Sequence, residues 1–294
     1  MDRKQPDQLP GPILIWTAFA ILALSMLFVF INRNRLPTLP IPIPQPSLGD
    51  PSFKTNFEDG HDNKAWQIAD FYYPSKVHLA AWVAENTDFE NGRLSLELNR
   101  NRVDYKPYSG AEYQRRGFYH YGRYEVVMQA AAGSGTVSSF FTHTNETFGD
   151  PHDEIDIEFL GKDTTRLHIN YFTNGEGAGS VYIPLGYDAA EEFHLYAFEW
   201  SPEEIKWFVD DQMVFSATDE LHKIPSTPSR IIMDLWSGSP DQYQWHGKPS
   251  FENGTKAHYL CASFLKTGEK GPQCSNDYKV KNGKRFYKKA PLTP

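Results

Sequence analysis

Acidic residues crowd the stretch DPHDEIDIEFLG at residues 150–161, where three of them alternate with apolar residues. On a β-strand, successive side chains point to opposite faces, so Glu154, Asp156 and Glu158 would share one face, whereas on a helix they would diverge. Like charges held together raise the pKa of at least one carboxyl group. An ionised carboxylate beside a protonated carboxyl group is what cleavage of a glycosidic bond with retention requires.

The spacing of the two Glu residues also suits that chemistry. Residues four apart on a strand have Cα atoms about 13 Å apart at roughly 3.3 Å per residue. Long side chains at Glu154 and Glu158 can lean together toward the separation of about 5–5.5 Å that retaining hydrolysis uses. Asp156, which lies between them, can hydrogen-bond one partner and influence which Glu holds the proton.

Two other interpretations of the acidic strand remain open from the residues alone. One is a solvated acidic face on an edge strand, and the other is a calcium site, since carboxylate clusters bind hard cations. The sequence contains no EF-hand loop, no His-Glu-x-x-His zinc motif and no Gly-x-Ser-x-Gly nucleophile elbow. The glycosidase interpretation therefore has no rival among these common catalytic and metal motifs.

The surrounding sequence predicts a sandwich or barrel of antiparallel strands. Aromatic residues make up 15% of the chain, and 21 Gly and 21 Pro provide frequent turns. Segments of alternating or β-branched and aromatic residues predict seven strands, at residues 93–99, 123–130, 137–142, 166–173, 193–200, 205–211 and 230–236. Only residues 188–193 and 218–223 are expected to form short helical turns. Many short strands with polar turns are typical of an all-β domain.

The N-terminal part predicts a membrane anchor followed by a spacer. Residues 12–31 are uncharged and apolar, about the length that a helix needs to cross the hydrocarbon core. No small-x-small cleavage site follows, so after a short tail at residues 1–11 we expect an uncleaved transmembrane helix; a cleaved signal peptide and a soluble core helix are the alternatives. Basic residues flank the run on both sides and do not set its orientation. Residues 32–52 are proline-rich and predict a semi-rigid linker.

Charge and cysteine content constrain the partners and the compartment. The net charge of −8 disfavours nucleic acid, which is bound through clustered Lys and Arg, and favours a neutral polymer or small molecule. Cys261 and Cys274 are predicted to form a disulfide, the alternative being two unrelated buried thiols. A disulfide would place the chain after residue 32 in an oxidising compartment, either periplasmic or extracellular.

The acidic strand also resembles a known family. DEIDIEFLG resembles the Glu-x-Asp-x-Glu signature of glycoside hydrolase family 16. The segments YGRYEVVMQAA, VSSFFT, NYFTNG, FHLYAFEWSPEEIKWFVD and PSTPSRIIMDLWSG are similar, in order and spacing, to those of the bacterial lichenases and related exopolysaccharide glycanases. The resemblance covers residues 53–265 and implies a concanavalin-like β-jelly-roll sandwich with an open cleft on its concave sheet. Residues 266–294 would form a C-terminal extension.

The resemblance implies a role for each matching residue. Glu154 would be the nucleophile, Asp156 its assistant and Glu158 the general acid/base. Four residues match positions that contact sugar in the family: Glu112, Phe141, Asn170 and Trp236. Four more candidate contacts depart from the lichenase pattern: His143 for Tyr, His152 for Trp, Phe172 for Tyr and Asp234 for Asn.

These departures bear on the substrate. A His at position 152 is also usual in plant xyloglucan endotransglucosylases, and fewer aromatic platforms favour a branched or decorated glucan. His143 and His152 are expected to orient Asp153 or a substrate hydroxyl, the alternative being plain surface histidines.

The expected function is that of a monomeric retaining endo-β-glycanase. It would hydrolyse internal bonds of a polysaccharide, either a β-glucan of the 1,3-1,4 type or a bacterial exopolysaccharide. The chemistry would need no cofactor, although sandwiches of this kind often hold a structural calcium ion on backbone carbonyls. A transglycosylase and a non-catalytic carbohydrate-binding protein are the alternatives, and a binding protein has no need of both Glu154 and Glu158.

Overall fold

The computed structural model describes residues 50–71, 76–220, 222–281 and 284–287. All of them belong to one compact unit, Pro42–Pro294. The expected tail, the apolar run at residues 12–31 and most of the linker lie outside the described residues. Within those residues, no helix is long and apolar enough to cross a membrane.

Strands dominate the described chain. In chain order they are β1 (Phe53–Asn56), β2 (Trp66–Ile68), β3 (Ala80–Trp82), β4 (Thr87–Asp88), β5 (Leu94–Leu98), β6 (Tyr108–Arg115), β7 (Gly122–Gln129), β8 (Val137–Thr144), β9 (Asp153–Leu160), β10 (Arg166–Thr173), β11 (Glu176–Gly177), β12 (Val181–Pro184), β13 (His194–Trp200), β14 (Glu204–Val209), β15 (Gln212–Thr218), β16 (Arg230–Trp236), β17 (Thr255–Lys266), β18 (Tyr278–Lys281) and β19 (Lys284–Tyr287). All seven predicted strands are present, with bounds that differ by at most two residues.

Two large sheets contain all of these strands except the β18–β19 hairpin. One sheet has the order β11-β10-β9-β8-β16-β6-β2, with β12 on β10 and β3 parallel to β6. The other has the order β15-β14-β13-β7-β17-β5-β4, with β1 on β17. The predicted all-β sandwich is confirmed, and its layout is consistent with a jelly roll.

The strand β9 is anchored from behind by the core. Ile155, Ile157 and Phe159 are fully buried between the sheets, which stabilises the strand by about 1.5–3 kcal/mol per side chain. From the opposite sheet, the indole Nε1 of Trp207 donates to the backbone oxygen of Asp156 at 3.1 Å. The acidic side chains therefore project from a strand whose backbone is held by packing and by a cross-sheet hydrogen bond.

Helical turns were expected at residues 188–193 and 218–223, but the described residues of these two segments contain no helix, and Thr218 is the last residue of β15. In the first, the Asp188 carboxylate accepts from the backbone N–H of Ala190 at 2.9 Å, a side-chain bond that competes with helix formation. The α-helix of the described chain is instead the single turn α1 (Tyr243–His246), preceded by a 3₁₀ turn at Pro240–Gln242. Within α1, the Trp245 ring lies 6.1 Å from that of Trp236 on β16.

The predicted disulfide joins Cys261 on β17 to Cys274, with the two Cα atoms 5.8 Å apart. Both cysteines are fully buried, in a small cluster with Val127, Leu195 and Tyr278. The disulfide therefore holds the segment after β17 against the outer face of the sheet that contains β17.

Candidate active site

The acidic face of β9 opens into a cleft on the side of its sheet that faces away from the core. Cross-strand register places Glu154 opposite His143 on β8, and Glu158 opposite His168 on β10. The cleft is lined by His78, Glu112, Ser139, Phe141, His143, Asn145, Glu154, Asp156, Glu158, Ile232, Asp234 and Trp236. Glu154, Asp156 and Glu158 therefore share the cleft face of β9, as the strand period predicted.

Glu154 is held in its ionised form. His143 Nδ1 and His152 Nε2 both donate to Oε2 of Glu154, at 2.5 and 3.0 Å. Burial would raise the pKa of Glu154, but these two hydrogen bonds outweigh it and lower the pKa to about 2. Glu154 is therefore a carboxylate at neutral pH, with the charge that a nucleophile needs.

The pKa of Asp156 is shifted in the opposite direction. Burial raises its pKa well above the ordinary value, and the negative charges of Glu154 and Glu158 raise it further. A hydrogen bond to Glu154 acts in the same direction. A protonated Asp156 can donate to the Glu154 carboxylate, which makes it a third donor toward that group.

Glu158 is the first residue in a series of hydrogen bonds that runs from β9 through β10 to α1. His168 Nδ1 is 2.7 Å from Glu158 Oε2, and the Trp245 indole Nε1 donates to His168 Nε2 at 3.3 Å. His168 is only 2% exposed. Trp245 belongs to α1, so this contact connects Glu158 to an element outside the sheet.

Two further acids form the floor of the cleft beside β9. Asp234 on β16 is paired in register with Glu112 on β6 and Ser139 on β8. Burial raises the pKa of Glu112 to about 7, and burial followed by the charge of Glu112 raises that of Asp234 well above its usual value. The Ser139 hydroxyl donates to Asp234 Oδ1, so a protonated Asp234 offers one acceptor and one donor, as an asparagine would.

Several aromatic residues in and beside the cleft stack on one another. His78 stacks on Trp236 with ring centroids 4.0 Å apart, and Trp236 is only 8% exposed. Burial, with the nearby charge of Lys106, lowers the pKa of His78 to about 3, so the stacked ring is neutral. His152 stacks on Phe172 with centroids 5.0 Å apart. Trp236 is therefore mainly a wall of the cleft, and Phe172 supports His152.

One group within the described chain has the composition of a metal site. Ligand atoms of His143, His152 and Glu154 all lie within 4.8 Å of one another. However, the Asn145 amide donates to His143 Nε2 at 3.0 Å, which leaves the hydrogen of a neutral imidazole on Nδ1, where a metal would need a lone pair. The arrangement fits a hydrogen-bonded carboxylate better than a metal centre.

The sequence matches the family described as "Glycosyl hydrolases family 16" over residues 74–256. A beta-glucanase of Bacillus subtilis (strain 168) is 43% identical over 209 residues, which cover 71% of this chain and 84% of that protein. A lichenase structure derived from a mouse hindgut metagenome is 39% identical with a TM-score of 0.70, covering 74% of this chain and 99% of its own. The Bacillus licheniformis beta-glucanase structure is 40% identical with a TM-score of 0.69 and the same coverage.

The chain belongs to glycosyl hydrolase family 16. As a member of this family, the enzyme acts on O-glycosyl bonds, and its catalysis requires no cofactor. The predicted class of enzyme is thereby confirmed, and the alternative of a non-catalytic binding sandwich is set aside.

The candidate contacts of this family 16 enzyme divide into two groups. Glu112, Phe141, His143, Asp234 and Trp236 line the cleft with the three acids of β9. His152, Asn170 and Phe172 lie beside it, and Asn170 Oδ1 is buried without a hydrogen-bond partner among the described residues.

Of the two partners expected for His143 and His152, Asp153 was wrong, while a substrate hydroxyl stays a prediction. His143 and His152 bond to Glu154, while the Asp153 carboxylate accepts from the backbone N–H groups of Asn174, Ser226 and Thr227 at 2.9–3.0 Å. Asp153 lies on the core side of β9, where it connects two loops through these three hydrogen bonds.

Sequence reasoning missed several residues of the site. His78, Ser139, Asn145 and Ile232 line the cleft, and His168 contacts Glu158. For His168 a signal existed, since it lies two residues before Asn170 on a predicted strand and therefore shares its face.

The raised pKa of Glu112 predicts a pH-dependent effect on stability. A folded-state pKa of about 7 against an ordinary 4.5 means that Glu112 contributes stability below pH 4.5 and that this contribution is lost as the pH rises through 7. A Glu112→Gln variant stays neutral and does not lose this contribution. Between pH 4.5 and 8, its free energy of unfolding should therefore increase relative to that of the wild type by on the order of 3 kcal/mol. Urea denaturation of both proteins at the two pH values measures this difference.

The exposed Glu252→Gln variant is the matched control for this measurement, and its difference from the wild type should not change with pH. A Glu112→Gln difference that is equally constant would show that Glu112 is ionised in the folded enzyme.

Proposed function

We propose that this enzyme is a retaining endo-β-glucanase that hydrolyses internal bonds of a β-glucan of the 1,3-1,4 type. The observation that carries the proposal is the placement of two Glu side chains of one strand in the same cleft, with Glu154 hydrogen-bonded to His143 and His152 and Glu158 four residues further along. The substrate class is supported by relatives named beta-glucanase and lichenase at about 40% identity.

The proposed reaction has two steps. The Glu154 carboxylate attacks the anomeric carbon while Glu158 gives a proton to the leaving glycosidic oxygen, so that a glycosyl ester forms as the glycosidic bond breaks. A water molecule then attacks the same carbon, Glu158 takes its proton, and the Glu154 carboxylate is released. The sugar is inverted twice and leaves with its β configuration retained.

Asp156 would assist both steps through its hydrogen bond to Glu154. While Glu154 is ionised, its charge helps to keep Asp156 protonated. When Glu154 becomes an ester, its charge disappears, but Glu158 has given up its proton in the same step and is then the carboxylate beside Asp156. Asp156 therefore keeps its proton through the first step and can donate to the Glu154 carboxylate again as the second step releases it.

The remaining cleft residues would orient the sugar. Burial raises the pKa values of Glu112 and Asp234, and each carboxyl group can donate to a sugar hydroxyl when it is protonated. Phe141 is half-buried in the cleft wall and offers a ring to a pyranose face. These contacts would bind an uncharged polymer, in keeping with the absence of Lys and Arg from the cleft lining among the described residues.

Product analysis tests this function. The purified full-length chain is incubated with lichenan, laminarin and a succinoglycan-type polymer, and the early products are analysed by chromatography and proton NMR. We expect oligosaccharides from lichenan, with the β-anomer appearing before mutarotation. An initial α-anomer would contradict the nucleophilic role of Glu154, and transfer to added oligosaccharide in place of hydrolysis would identify a transglycosylase.

We also propose that residues 12–31 anchor the enzyme to a membrane with its hydrolase domain in the periplasm or outside the cell. The support is the twenty-residue apolar run and the Cys261–Cys274 disulfide, which forms in oxidising compartments. Cell fractionation of the full chain and of a deletion of residues 12–31 tests the anchor. Recovery of both proteins in the same soluble fraction would contradict it.

A further inference from the structure

We propose that Trp245 and His168 are positioning residues that fix which carboxyl oxygen of Glu158 carries the catalytic proton. This proposal rests on the acid/base role proposed for Glu158. The carrying observation is the hydrogen-bonded chain from the Trp245 indole through both ring nitrogens of His168 to one oxygen of Glu158, with distances of 3.3 and 2.7 Å.

The Trp245 indole determines which atoms donate and which accept in these two hydrogen bonds. An indole nitrogen is a donor only, so His168 Nε2 must accept from Trp245 and cannot carry a hydrogen itself. The hydrogen of the neutral imidazole then lies on Nδ1, which donates to Glu158 Oε2. A cationic ring is disfavoured as well, because its Nε2–H would face the indole N–H.

This arrangement leaves Oε1 of Glu158 to hold the transferable proton. Because Oε2 already accepts from His168, a protonated Glu158 carries its hydrogen on the other oxygen, where it does not point at the imidazole. In the second step, the same Nδ1–H stabilises the Glu158 carboxylate while Oε1 takes the proton from water. One fixed tautomer therefore serves the acid and the base form of Glu158.

Packing holds the imidazole in place. His168 is almost fully buried, and its ring lies 4.9 Å from that of Tyr182 and 5.6 Å from that of Trp245. The titratable groups that surround Glu158 are Glu154 and Asp156 on its own strand, His168 on β10, Tyr182 on β12 and Asp234 on β16. Of these groups, His168 is hydrogen-bonded to Glu158 from a neighbouring strand.

Two substitutions distinguish a role of His168 in positioning Glu158 from a purely structural role. His168→Leu removes the donor, whereas His168→Asn keeps an N–H at the same number of bonds from the backbone as Nδ1. We expect His168→Leu to lower kcat on lichenan by about 10- to 100-fold and to move the alkaline limb of the pH–rate profile to higher pH, because the Glu158 carboxylate loses a donor. His168→Asn should restore most of both.

The choice of substrate isolates the proton-donating step. An aryl β-glycoside with a dinitrophenolate leaving group needs no proton when it departs, so the rate of its first step should change by less than threefold in His168→Leu. Trp245→Phe, which keeps an aromatic ring without the N–H, should show the same pattern as His168→Leu. Equal losses on both substrates, with an unmoved pH profile, would overturn the proposal and assign His168 a purely structural role.

The tautomer can also be observed without activity. Nitrogen-15 NMR of the full chain labelled at histidine should show His168 protonated on Nδ1 at neutral pH, and a shift toward the Nε2–H form in Trp245→Phe. A wild-type His168 that is protonated on Nε2 would overturn the proposal.

A matched control exists in the opposite sheet, where buried His194 Nδ1 pairs with Asp210 at 3.0 Å. His194→Asn should leave the pH–rate profile unchanged even if it lowers the melting temperature. A Glu158→Gln variant as active as the wild type would refute the proposed function itself, a result that none of the His168 outcomes resembles.

Discussion

Replacing Glu154 by Ala is expected to lower kcat on lichenan by about 10⁴-fold or more, because the variant lacks the carboxylate proposed to form the covalent intermediate. The hydrogen bonds from His143 and His152 would then have no carboxylate to stabilise. The shortened side chain leaves space on the side of the sugar that Glu154 occupied. Added azide should enter there and restore turnover of an activated aryl glycoside, giving an α-glycosyl azide.

The configuration of the azide product decides the role of Glu154. Proton NMR of the product distinguishes the two anomers, and a β-glycosyl azide would mean that azide did not take the place of Glu154. The exposed Glu191→Ala variant is the control and should match the wild type in rate and in its lack of response to azide.

Glu158→Gln has the second largest expected effect, a loss of about 10²–10⁴-fold in kcat on lichenan. An amide cannot give a proton to the leaving oxygen, although it keeps the size of the side chain and can accept from His168 Nδ1. With a dinitrophenyl glycoside the first step should stay fast and the second should become slow, since no base activates water. A burst of dinitrophenolate in rapid-mixing measurements is the expected sign.

Azide again gives an independent check, because it needs no general base. In Glu158→Gln it should accelerate the second step and yield a β-glycosyl azide, the opposite anomer from that expected for Glu154→Ala. The absence of a burst together with an unchanged rate on lichenan would remove Glu158 from the mechanism.

Much of this fold could be predicted from alternation in the sequence. The segments that became β9, β10 and β16 have an apolar residue at every second position on the core side, and such a pattern needs no tertiary information. The strands β6 and β17 were not predicted. The segment that forms β6 (Tyr108–Arg115) carries Gly110 and the polar residues Glu112 and Gln114, and β17 (Thr255–Lys266) contains an irregularity in register between Tyr259 and Cys261.

The catalytic strand shows why some of the site could also be predicted. Glu154, Asp156 and Glu158 are separated by two and four residues, and the two-residue period of a strand is enough to put them on one face. The same local rule puts Ile155 and Ile157 on the opposite face, which is buried. No knowledge of distant residues was needed for either conclusion.

The protonation of those acids depends on residues that are distant in sequence or lie on neighbouring strands. Glu154 is ionised because His143, eleven positions earlier on the adjacent strand, is hydrogen-bonded to it. The pKa of Asp156 is raised because the folded sheet buries it. The His168 tautomer depends on Trp245, 77 positions later on α1. The order of residues along one strand thus determines which groups share a face, because strand geometry is local. Burial and hydrogen-bond partners, which decide where each proton resides, arise only when distant segments pack together.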